Sequence, residues 1–197
     1  MSSVKNYFNK VADRYNDNSS KGIWAIFRKL ESEAVKDLLD PFQKMTCVEL
    51  GCGSGFYTKY LASFNPTFLV AVDLSENMLK EINILRVKRV RGDIQNIKFN
   101  IKFDRILCAG AIEFLADVNA FFANLKTLLS PTGQAILLMP RKGIFGTIYK
   151  VFHRSHVVKV SLYDIDQLED ILNTNHLRIE KIIIPTPMAN VLAIVHK

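Results

Sequence analysis

The sequence predicts an α/β protein built on a mainly parallel sheet. Three observations carry that prediction. Short, continuous apolar runs bounded by Gly or Asp occur at Cys47–Leu50, Phe68–Val72, Ile106–Ala109 and Ala135–Met139. Helical periodicities lie between them, and two β-rich runs too closely spaced for a crossover end the chain. An unbroken apolar run reads as a strand buried on both faces, which is the situation in a parallel sheet covered by helices. Strand alternating with helix implies right-handed crossovers between parallel neighbours.

The elements follow in order. Val4, Tyr7, Phe8, Val11 and Tyr15 recur at three and four residues, and after the polar break Asn16 to Ser20 so do Ile23, Phe27, Leu30, Ala34 and Leu38. Two amphipathic helices therefore precede the sheet, and Pro41 closes the second. Phe56, Tyr60, Leu61 and Phe64 mark a helix after the first strand. Met78, Leu79, Ile82 and Leu85 mark another behind a Ser75 cap, and Val118, Phe121, Phe122, Leu125, Leu128 and Leu129 a third behind Asp117. A short third strand runs through Val90 and ends at Asp93. Ser161-x-x-Asp164 resembles a capping box and opens a helix with Leu162, Ile165, Leu168 and Leu172 inward. The last runs, Leu177–Ile184 and Asn190–His196, are joined by Pro185-Thr186-Pro187 and should pair antiparallel.

Composition bounds the function. With 197 residues the chain suits one domain, and 49% apolar with 23% charged residues excludes disorder and fibrous classes. Cys47, Cys52 and Cys108 form neither an even framework nor a CxxC pair, which argues against disulfides and a zinc site and for a reducing compartment. No secretory pattern opens the chain and no run reaches membrane-spanning length, so a cytoplasmic location is expected. The net charge of +7 is concentrated: residues 140–160 hold Arg141, Lys142, Lys150, Arg154 and Lys159 with no acid, leaving +2 for the rest. That distribution argues against a nucleic-acid face spread over the molecule.

The chemistry centres on Val48-Glu49-Leu50-Gly51-Cys52-Gly53-Ser54-Gly55, an apolar strand running into a glycine loop with a helix behind it. Glycines permit positive φ and close approach of a ligand to backbone. The loop is GxGxG and lacks the Lys-Ser/Thr of a phosphate loop, so a structural turn is the competing reading. Glu49 would repel a pyrophosphate and would suit a cationic ligand. Asp73 follows Gly55 by 18 residues at the end of the second strand, where a carboxylate can accept both hydroxyls of a ribose, and Asp93 lies 20 residues further on. Either acid alone reads as a cap or turn residue; taken together the spaced acids outweigh that reading.

These residues resemble the class I S-adenosylmethionine-dependent methyltransferases, in the small-molecule, ubiquinone-biosynthesis-like group (methyltransferase type 11). The resemblance covers roughly residues 45–197 and extends to Phe103-Asp104-Arg105-Ile106-Leu107 and to Leu128-Leu129-Ser130-Pro131-Thr132-Gly133. It implies a seven-stranded Rossmann-like sheet with an antiparallel C-terminal hairpin, plus N-terminal helices, and S-adenosyl-L-methionine as cofactor. It further implies that Glu49 with Gly51, Cys52, Gly53 and Gly55 holds the methionine part, Asp73 the ribose, and Asp93 with the Ile94 amide the adenine. Leu74 and Met78 would wall the adenine, Cys108 and Ala109 would face the amino-acid end, and Tyr15 would cover the cofactor.

The sequence also departs from that family. Where many relatives carry Glu-x-x-Glu-His after the fourth strand, this chain has Gly110-Ala111-Ile112-Glu113-Phe114, so no metal is expected and Glu113 is the surviving candidate base. Signatures for nucleobase amines and cytosine carbons are missing, and Cys108 reads as a buried inert thiol. His153 and His156 are further candidate bases. Arg141, Lys142 and Arg154 suggest an anionic acceptor, and Phe145, Ile148, Tyr149 and Phe152 an apolar body. A lipid at a membrane or a tetrapyrrole acid fits that mixture, compatible with peripheral membrane contact, and the segment bears a faint resemblance to magnesium-protoporphyrin methyltransferases. The expected organisation is one domain: a helical cover (1–40), a cofactor core (45–139), a basic lid (140–160), and a terminal helix and hairpin (161–197). The alternatives are an RNA-modifying methyltransferase and a non-catalytic cofactor-binding partner or regulatory protein.

Overall fold

A computed structural model describes residues 23–143 and 160–197; the helix expected at Val4–Tyr15, the 1–20 cover, and Tyr15, Lys150, His153, Arg154 and His156 lie outside the described residues. The described elements run α1 (Ile23–Leu39), β1 (Thr46–Leu50), α2 (Phe56–Ala62), β2 (Phe68–Asp73), α3 (Glu76–Glu81), β3 (Val87–Arg91), β4 (Phe103–Ala109), a 3₁₀ turn (Ile112–Phe114), α4 (Val118–Leu128), β5 (Leu129–Pro140), α5 (Ile165–Thr174), β6 (Leu177–Thr186) and β7 (Ala189–His196). They form a seven-stranded sheet of order β3-β2-β1-β4-β5-β7-β6. The first five strands are parallel, and β7 is antiparallel to both β5 and β6. The short Pro187-Met188 turn admits only that pairing.

Alternation along the strands divides the core into two layers. Val48, Leu50, Val70, Val72, Ile106, Leu137 and Leu192 face α4 and α5, where Phe121, Phe122, Leu125, Leu168 and Leu172 pack on them. Cys47, Leu69, Leu107, Ile136, Val191 and Ala193 face α1 and α2, meeting Val35, Leu39, Tyr57 and Leu61. Nearly all of these side chains are fully buried, each worth roughly 1.5–3 kcal/mol when large and apolar. The outer strands β3 and β6 carry Lys88, Arg89, Arg91, Arg178, Glu180 and Lys181, charges that guard exposed edges against further pairing.

The expected helix caps at Ser75 and Asp117 form: their side chains accept from the Met78 and Ala120 amides. Other expectations need correction. The cap of α5 is Asp164, in a reciprocal box with Gln167, while the Ser161 N–H donates to the Glu113 carbonyl in extended chain, so Leu162 precedes the helix. Leu30 is exposed because the burial stripe of α1 runs through Ala34, Val35, Leu38 and Leu39. Leu85 is 92% exposed because α3 stops at Glu81, and Phe56 is half exposed where α2 begins. Leu129 starts β5 and does not extend α4, and Asp93 lies in the turn two residues beyond β3.

Candidate functional site

A parallel sheet whose strand order reverses leaves a crevice at the carboxyl ends of its strands, because successive crossovers leave to opposite faces. Here the reversal lies between β1 and β4. The cleft that opens there takes Glu49 and Gly51 from the end of β1, Asp73 from β2, Asp93 from beyond β3 and Ala109 from β4.

The glycine loop is bound to the neighbouring strand. Gly51 and Cys52 N–H groups donate to the Val72 carbonyl at 2.8 and 2.9 Å. Gly51 has φ +76°, and a Cβ there would stand 2.5 Å from Ala111 Cβ, so the residue is required by both backbone and space. Gly55, at φ +88°, precedes α2, and a Cβ on it would meet Ile82 Cγ1 at 2.8 Å. Gly55 thus shapes the loop without lining the cleft.

Glu49 is 2% exposed, and the Thr58 hydroxyl of α2 donates to its Oε2. Burial pushes its pKa up to about 8, the Thr58 bond opposing and the nearby Asp73 adding to the rise. Asp73 accepts from Gly53 N–H on Oδ2 and from Ser75 N–H on Oδ1, both at 2.8 Å. Burial raises its pKa too, although those backbone bonds pull it down. A carboxylate has about four acceptor positions, so Asp73 keeps acceptor capacity beyond the Gly53, Ser75 and Leu74 amides. Asp93 accepts from the Gln95 main chain and side chain at 3.1 Å.

Of the residues singled out in the sequence, the cleft brings together Glu49, Gly51, Cys52, Gly53, Asp73, Leu74, Met78, Asp93, Ile94 and Ala109. Cys108 does not line it; the thiol is fully buried among the apolar residues under α4, and that burial drives its pKa upward. Glu113 is buried in the 3₁₀ turn, off the cleft wall, while its neighbour Phe114 lines it. Arg141 and Lys142 do not line it either. Both are exposed, and Lys142 forms a 2.8 Å ion pair with Asp164.

The structure adds residues that sequence reasoning missed. Arg28 of α1 lines the cleft, its guanidinium 5.5 Å from the centroid of Phe56, another lining residue. Gln95 lines it beside Asp93. No sequence motif marks Arg28, since α1 is brought to the cleft by tertiary packing on β5, β6 and β7 and on α2. Gln95 was reachable as the second residue after Asp93. Among the described residues no cluster of three or more His, Cys, Asp or Glu could hold a metal ion, and no helix is long and apolar enough to cross a membrane.

Residues 48–137 match the family described as "Methyltransferase domain". The malonyl-[acyl-carrier protein] O-methyltransferase of Priestia megaterium is 23% identical over 156 residues, 76% of this chain and 55% of that protein. The ubiquinone biosynthesis O-methyltransferase of Rickettsia prowazekii is 26% identical over 110 residues, 53% of this chain and 44% of that one. The chain thus spans about half the length of these curated relatives. Among solved structures, magnesium protoporphyrin IX methyltransferase from Synechocystis with bound S-adenosylhomocysteine superposes with a TM-score of 0.75 at 18% identity, covering 98% of each chain. Residues 48–137 thus match a methyltransferase domain, and the fold of the chain is that of solved S-adenosylmethionine-dependent methyltransferases.

Proposed function

We propose that this chain binds S-adenosylmethionine in the cleft and transfers its methyl group to a small acceptor that is anionic and partly apolar. One observation carries the reading: Glu49, Asp73 and Asp93, from the ends of three adjacent strands, line one cleft. The donor set fits the cofactor. Glu49 suits a cationic amino-acid end, Asp73 has free acceptor capacity for a ribose diol, and Asp93 suits an exocyclic amine beside the apolar Leu74, Met78 and Ile94. Around Gly53, no atom lies within 4 Å of where a Cβ would stand, which keeps backbone accessible at the loop. When bound, the cofactor supplies a methyl group on a sulfonium, already a good electrophile.

The task left to the protein is orientation. Holding an acceptor in line about 3 Å from the methyl delivers much of the acceleration without a metal. Arg28 is the cation among the described residues that lines the cleft, and Phe56, Phe114 and Leu115 offer apolar surface beside it. This supports an acceptor carrying a carboxylate or phosphate on an apolar body, read by Arg28 in place of Arg141 and Lys142. Glu113 is set back from the cleft, which favours an acceptor that needs no base from that position.

Calorimetric titration with S-adenosylmethionine, S-adenosylhomocysteine, NAD and ATP tests the cofactor half; tighter binding of NAD or ATP would overturn it. Labelled methyl transfer to aryl and acyl carboxylates, compared with their neutral esters, tests the acceptor half. Arg28→Gln should abolish any preference for the acids, and a preference that survives would place the anion elsewhere.

A further inference from the structure

We propose that Gln95 is a positioning residue that fixes the base-reading geometry of Asp93, an inference that rests on the cofactor reading above. Gln95 is only 6% exposed although it lines the cleft. Its side-chain nitrogen donates to both Asp93 oxygens, at 3.1 Å to Oδ1 and 3.2 Å to Oδ2, and its main-chain N–H donates to Oδ1 at 3.1 Å. Its side-chain oxygen accepts from the Asp117 N–H at 2.7 Å. One end of the carboxamide therefore faces a pure acceptor and the other faces a pure donor, and only one orientation of the amide satisfies both.

Asp117 is the N-cap of α4, so Gln95 joins the Asp93 carboxylate to the start of a buried helix. The same helix holds the turn a second time. Asn124, 3% exposed, donates through Nδ2 to the Ile94 carbonyl at 3.3 Å and to the Ile97 carbonyl at 2.9 Å. Residues 93–97 are thus fastened to α4 at two points about two turns apart, one through a side chain that touches Asp93 directly and one through backbone alone.

A carboxylate presents only acceptors. It selects a ring that offers an N–H at that point, as a 6-aminopurine does, and rejects a 6-oxo ring whose own acceptor would face it unpaired. That discrimination requires the carboxylate to keep one orientation, and Gln95 is the side chain that holds both of its oxygens. Asn124 shapes the turn without touching the reading group, so the specificity role falls on Gln95.

The test is calorimetric titration of the full chain with S-adenosylhomocysteine and with S-inosylhomocysteine, in which an oxo group replaces the 6-amino group. The chains are wild type, Gln95→Met, Gln95→Asn, Asp93→Asn and Gln95→Met with Asp93→Asn. The wild type should prefer the adenine ligand by about 100-fold. Both Gln95 variants should lose about tenfold of that ratio, because Met has no hydrogen-bonding ends and Asn is a methylene too short to bridge. In the Asp93→Asn background, Gln95→Met should change the ratio no further. A ratio within about twofold of wild type in the Gln95 variants overturns the proposal, even if their melting temperature falls, since that pattern marks a structural role only. Losses that simply add in the double variant overturn it as well. If Gln95→Met does not fold, Gln95→Asn decides. A wild-type chain that binds neither thioether is a different failure, that of the cofactor reading.

Discussion

Ligand binding at the cleft should release a proton from Glu49. That side chain is 2% exposed, meets the Thr58 hydroxyl, and has its pKa pushed up to about 8 by burial, with Asp73 adding to the rise. At pH 7 the free chain therefore holds it mostly protonated. A cationic group arriving beside it favours the charged form, so the proton leaves on binding. The association constant is then scaled by the fraction of free chain already deprotonated, about 1 in 100 at pH 6, 1 in 10 at pH 7 and 1 in 2 at pH 8. Affinity for S-adenosylhomocysteine should rise about 50-fold from pH 6 to pH 8 and level off above about pH 9. Calorimetry in two buffers of different ionisation enthalpy counts the proton directly, about 0.9 released per ligand at pH 7. Glu49→Gln supplies the blank, because it keeps the shape and leaves only the ligand's own amine to titrate. A wild-type chain that releases no proton beyond that blank refutes the reasoning. The same shift acts on folding. The folded pKa exceeds the ordinary 4.5, so Glu49 stabilises the ligand-free fold fully below about pH 4.5 and loses that contribution, about 5 kcal/mol in size, as pH rises through about 8. Urea unfolding of wild type and Glu49→Gln across that window should show the wild type losing more.

Asp73→Ala removes the acceptor of the Gly53 and Ser75 amides and of the proposed ribose contact, and should weaken S-adenosylhomocysteine binding by roughly 2–3 kcal/mol. Calorimetry checks it, and unchanged affinity would place that acid outside the binding site. Gly51→Ala should cost about 1–3 kcal/mol of stability, measured by chemical denaturation, because of the positive φ and the 2.5 Å approach to Ala111 Cβ. A wild-type midpoint would mean that the loop relaxes freely. Methyl transfer should be indifferent to a strong chelator; activity that returns only on adding magnesium or zinc would show that a metal serves the reaction.

What could be read from the chain was what depends on neighbours in sequence. Apolar runs such as Phe68–Val72 became strands buried on both faces, and Ser75 and Asp117 capped their helices, because periodicity and capping act over a few residues. The acids Glu49, Asp73 and Asp93 were legible as a set because each sits at or just beyond a strand end, and parallel strands bring such ends to one crevice. Where two local signals competed, as Ser161 and Asp164 did for the start of α5, the reading failed: Gln167 stood three residues after Asp164 to complete the box. Packing between distant elements settled the rest. Thr186 donates to Glu31 across 155 residues, joining the hairpin tip to the helix that carries Arg28 to the cleft, while the basic Lys142 turns to Asp164. Charge counted along the chain located a cationic segment, but that Arg28 lines the cleft depends on how α1 packs against β5, β6 and β7, a geometry no short window of sequence contains.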